Sequence, residues 1–69
     1  MNKDLAKNKY YKNAYNNPGQ YDFNTIVTKL ETAKDQNTVT MLLNISIGVK
    51  DAIRDRQNDN YKFIKNQNQ

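Results

Sequence analysis

The chain has no cysteine, no histidine and no tryptophan, and it has only two glycines, one proline and two arginines in 69 residues. Without cysteine there is neither a disulfide framework nor a thiolate metal site. Without histidine the commonest metal ligand and general base are missing. Ser46 and the threonines therefore have no histidine partner to make them nucleophiles, and two glycines cannot build a glycine-rich phosphate loop. No apolar run has the length needed to span a bilayer. The opening MNKDLAKNK is basic but holds no apolar segment of the secretory kind. These absences lead us to expect a cytoplasmic protein that is not an enzyme, with no cofactor, no metal, no small-molecule substrate and no membrane association.

Sixty-nine residues make one domain at most. A chain this short buries only about 60% of its unfolded surface, so a lone core is marginal. With no staple in the sequence, oligomerisation is the expected extra source of burial, and a homodimer is the simplest form.

What the chain does have is one dense apolar stretch, Thr38 to Arg56. Read with period two, Val39, Met41, Leu43, Ile45, Ile47 and Val49 share a face, and only Leu42 breaks the alternation. Read as a helix, Leu42, Ile45, Val49 and Ala52 form a seam, with Asn37 or Thr38 as the cap. Gly48 weakens that helix by about 1 kcal/mol relative to alanine. The helix is favoured, because a strand this long needs a partner and Gln20–Thr25 and Tyr61–Lys65 are too short.

The stretch 22–35 also reads as a helix, from Phe23, Ile26, Val27, Leu30 and Ala33, with Asp22 or Asn24 as cap. Asp35-Gln36-Asn37 is a short polar connection, so the two helices pack as neighbours. Asn17-Pro18-Gly19 is the clearest punctuation and suits a type II turn. Any helix before it ends by Asn16, and a weak one is expected over Lys3–Tyr15. The expected fold is all-α: a helical hairpin core at residues 21–57, a basic tyrosine-rich arm at 1–20 and a polar tail at 58–69 whose last residues fray. The alternative is α+β, with residues 38–50 as a long strand.

Asparagine and glutamine are abundant and lysine far outnumbers arginine, a composition typical of AT-rich genomes, their phages and mobile elements. Asn44-Ile45-Ser46 matches a glycosylation sequon, but its place in the most apolar run reads as chance. Asp51 and Asp55, four apart among Lys50, Arg54 and Arg56, read as a solvated ion-pair face.

Charge is the main hint of function. Residues 1–20 carry four lysines against one acid, residues 21–59 five bases against six acids, and residues 60–69 two lysines and no acid. The positive charge lies on the flanks. Two binding functions follow. Tyr10, Tyr11, Tyr15 and Tyr21 are an aromatic cluster of the kind that anchors a protein partner, which suggests an adaptor, inhibitor or assembly factor. Alternatively, Lys3, Lys7, Lys9 and Lys12, interleaved with those tyrosines, contact the phosphates of a nucleic acid.

Overall fold

Asp35 starts the longest element. Its carboxylate accepts the Thr38 amide at 3.0 Å and the Thr38 hydroxyl at 3.2 Å, which satisfies one of the free amides at a helix start. In the computed structural model, which describes residues 1–65, the chain is all-α. Helix α1 spans Lys9–Asn16, a 3-10 turn spans Pro18–Gln20, α2 spans Phe23–Thr32 and α3 spans Gln36–Gln57. Residues 38–50 are thus helical and not the strand their alternation also allows. The described residues contain no strand to pair with, whereas Leu42, Ile45, Val49 and Ala52 bury one helical face against the rest of the chain. The cap is Asp35, two residues earlier than the first expected cap, Asn37.

Both other helices pack on α3, and the pairing of α1 with α3 is the more extensive. Asn8 caps α1 by accepting the Tyr10 and Tyr11 amides at 2.9 and 3.1 Å. Residues 3–7 form a tight turn before it, so the helix is shorter than the expected span Lys3–Tyr15. It buries Tyr11, Ala14 and Tyr15 completely. Gly48 is what lets α1 come so close. A Cβ there would lie 2.7 Å from the Tyr11 carbonyl oxygen and 2.9 Å from the Ala14 Cβ. Its cost in helix propensity is the condition of the contact.

The expectation of an arm at residues 1–20 is therefore corrected: this segment supplies one wall of the core. The turn at Pro18 is corrected too. It is 3-10, and neither glycine has a positive φ, so the type II geometry is absent.

Helix α2 begins at Asp22 as expected, but that carboxylate accepts the Thr25 hydroxyl at 2.7 Å and no backbone amide. Of its seam only Ile26 is fully buried, while Phe23 and Val27 remain on the surface.

After α3 the chain reverses. Asp59 has φ 58°, in the left-handed region, and the Asn60 and Asp59 amides donate to the Asp55 and Arg56 carbonyls at 2.7 and 3.4 Å. That pair of bonds is a Schellman termination. It turns residues 61–65 back as a strap, with Ile64 buried. Within the polar tail 58–69, residues 61–65 thus lie back on the core, and the last four residues lie outside the described residues. No helix among the described residues is long and apolar enough to cross a membrane.

Candidate functional site

Two side-chain systems stand out, one buried and one on the surface. The buried one joins α1 to α3. The Tyr11 hydroxyl donates to Asp51 Oδ2 at 2.7 Å and the Tyr15 hydroxyl to Asp55 Oδ2 at 2.6 Å. Tyrosines four apart meet aspartates four apart at the same sequence offset, so the two helices run in the same direction here. The Met1 ammonium also reaches Asp55 Oδ2, at 2.5 Å, and Arg54 Nε donates to Asp55 Oδ1 at 3.1 Å. Arg54 Nη1 lies 3.3 Å from Asp51 Oδ1. The Asn2 amide donates to the Tyr11 hydroxyl at 2.7 Å.

The electrostatics follow from these partners. The N-terminal ammonium first, and the Tyr15 hydroxyl second, hold the Asp55 carboxyl down at about 2, against the burial that opposes them. Burial, with the Asp55 hydrogen bond second, pushes the Tyr15 hydroxyl up to about 12. Burial likewise raises the Tyr11 hydroxyl well above the ordinary phenol range. The Asn2 amide works against that rise and Asp51 adds to it. No buried side-chain nitrogen or oxygen among the described residues is without a hydrogen-bond partner. The system is closed on itself, and it holds α1 to α3. This corrects the reading of Asp51 and Asp55 as a solvated face, since Asp55 is buried. The matched four-residue spacings of the two pairs were the available signal.

The surface system is built by the strap. Asn16 grips the Ile64 backbone twice: its Nδ2 donates to the Ile64 carbonyl at 2.9 Å, and its Oδ1 accepts the Ile64 amide at 2.7 Å. The Tyr61 hydroxyl donates to the Asn16 carbonyl at 3.0 Å. The Tyr61 ring stacks on Tyr15 at a centroid distance of 5.1 Å, and the Arg56 guanidinium lies over the Tyr61 ring, 4.2 Å from its centroid. The strap is thereby fixed on both sides of Phe63, which stays 65% exposed. Two shallow depressions flank it. One is lined by Lys9, Lys12, Asn13 and Asn16 with Phe63 and Lys65. The other is lined by Met1, Lys3 and Ala6 with Lys62, Phe63 and Lys65. No carboxylate is among the lining residues of either.

The candidate residues read from the sequence divide accordingly. Lys3, Lys9 and Lys12 come together on this face, while Lys7 is exposed but lines neither depression. The tyrosine cluster is corrected as a partner surface. Tyr11 and Tyr15 are fully buried, and Tyr10 and Tyr21 pack half-buried against the core. Tyr10 also lies under the Lys9 ammonium, 5.1 Å from its centroid. Asn16, Lys62, Phe63 and Lys65 were not singled out as site residues, because nothing local to residues 61–65 says which surface they fold against. Among the described residues no three acidic, histidine or cysteine side chains are grouped to hold a metal ion.

The fold and face thus define a small all-α protein with a lysine-rich surface. No family model, curated protein or solved structure matches the chain.

Proposed function

We propose that this protein binds nucleic acid through its phosphates, without catalysis, on the face that α1 shares with residues 61–65. One observation carries the reading. Lysines from opposite ends of the chain, Lys3, Lys9 and Lys12 with Lys62 and Lys65, line two adjoining depressions free of acidic lining residues. Concentrated lysine charge displaces the counterions of a phosphate backbone, which is the main source of sequence-independent affinity. Both arginines, the usual readers of base edges, are engaged elsewhere: Arg54 with Asp51 and Asp55, and Arg56 over Tyr61.

The test is fluorescence anisotropy of a labelled oligonucleotide at two salt concentrations. With three phosphates neutralised on a single strand, affinity is expected to fall about 20-fold between about 50 and 200 mM salt. Lys9→Gln and Lys65→Gln should each weaken binding and flatten the salt dependence. Absence of binding at the lower salt overturns the reading. Deleting residues 1–18 is no control, because it removes the core wall made by Tyr11, Ala14 and Tyr15.

A second reading, a homodimer or protein-partner interface, is favoured by apolar side chains that α2 and α3 leave exposed. Phe23 and Val27 are one turn apart on α2, Leu43 and Ile47 one turn apart on α3, and each is more than a third exposed. Sedimentation velocity tests it: a monomer at high micromolar concentration counts against the homodimer.

A further inference from the structure

Resting on the nucleic-acid reading, we infer that the ligand is single-stranded, with Phe63 as the platform on which an unpaired base stacks. Phe63 is the most exposed of the large apolar side chains. Its neighbour Ile64 is buried and held at both backbone polar groups by Asn16. Tyr61, two residues earlier, is held by stacking on Tyr15 and by its hydrogen bond to the Asn16 carbonyl. The ring is therefore presented from an anchored backbone, so its ordering entropy is in part already spent before a ligand arrives.

The surroundings select the ligand. Lys62 and Lys65 flank the ring in sequence, and Lys3 and Lys9 line the two depressions that meet at it. An aromatic face bordered by lysines and without lining carboxylates matches a strand whose bases are open and whose phosphates run alongside. A duplex offers its phosphates but no unpaired base face. Its grooves are read by a projecting helix or ribbon and by arginine. Here α1 is turned inward by Tyr11 and Tyr15, and both arginines are engaged. Stacking tolerates every base, so little sequence preference is expected.

The full chain is titrated with three probes: single-stranded oligothymidylate, a duplex of equal length, and inorganic polyphosphate. Phe63→Ala should leave the helical circular dichroism and melting temperature unchanged, because the ring is exposed, and should weaken single-strand binding roughly tenfold. Phe63→Trp should restore it. Because the chain has no native tryptophan, the indole introduced there is a sole reporter, and its emission should be quenched by the single strand and not by polyphosphate. Equal affinity for all three probes, with no effect of Phe63→Ala, overturns the stacking inference and leaves phosphate binding standing. Tighter binding of the duplex overturns it as well. Failure of all three probes at low salt removes the nucleic-acid reading itself, and the inference with it.

Discussion

The Tyr15 hydroxyl donates to Asp55 Oδ2 at 2.6 Å in the interior between α1 and α3. The same oxygen receives the Met1 ammonium, and Arg54 closes the other carboxylate oxygen. Removing one side of such a contact differs from removing the other. Tyr15→Phe deletes one hydrogen bond to a charged acceptor and leaves Asp55 with its two cations, so a loss of about 1.5–3 kcal/mol is expected. Asp55→Ala leaves a buried hydroxyl and a partly buried ammonium without an acceptor, and should be the more damaging change. Urea denaturation of both variants orders them. The reverse order contradicts the network.

The same contacts give stability a pH dependence at both extremes. Asp55 is held at about 2 in the folded chain, against about 3.9 unfolded. A depressed carboxyl stabilises the fold above its unfolded value, and that contribution is lost as pH falls from about 4 towards 2. Tyr15 is raised to about 12, against about 10 unfolded. A raised phenol stabilises the fold below about pH 10 and ceases to do so as pH climbs towards 12. Tyr11 acts in the same alkaline direction. Melting temperature plotted against pH should drop at both ends, and Asp55→Asn should flatten the acid limb. An unchanged acid limb in that variant would place the acid sensitivity elsewhere.

Gly48→Ala tests the approach of α1 to α3. On propensity alone the change favours the helix by about 1 kcal/mol. The added Cβ would meet backbone at 2.7 Å, which a carbonyl oxygen in a helix cannot yield cheaply. A net loss of about 1–3 kcal/mol is expected, as in other overpacked cores. A gain in stability would show that α1 does not rest there.

Asp59→Gly tests the reversal after α3. Asp59 holds φ 58°, a conformation that disfavours side chains with a Cβ and suits glycine. A gain of about 0.5–1 kcal/mol in unfolding free energy, read from urea denaturation, is expected, with nucleic-acid affinity retained. A loss would mean that the Asp59 side chain contributes something beyond the turn.

Helices α2 and α3 were legible in the sequence because their apolar spacing is periodic, and Asn16 marked the end of α1 because Pro18 follows. The role of α1 was not legible. Its buried residues are tyrosines among asparagines and lysines, a composition that scores as surface. Their burial depends on Gly48 and on acceptors that lie 40 residues away. The lysine face was half legible. Charge at both ends was plain, but its convergence depends on the left-handed Asp59 and on the double grip of Asn16 on Ile64. Neither leaves a pattern in local hydropathy.

The central claim, that the two basic ends act as one site, is tested most directly by titrating the ¹⁵N-labelled chain with single-stranded oligothymidylate and following backbone amide shifts. The prediction is that Lys9–Asn17 and Tyr61–Lys65 move together, with one apparent dissociation constant, while the amides of α2 stay in place. Shifts confined to one end, or centred on Phe23, Val27, Leu43 and Ile47, would contradict it.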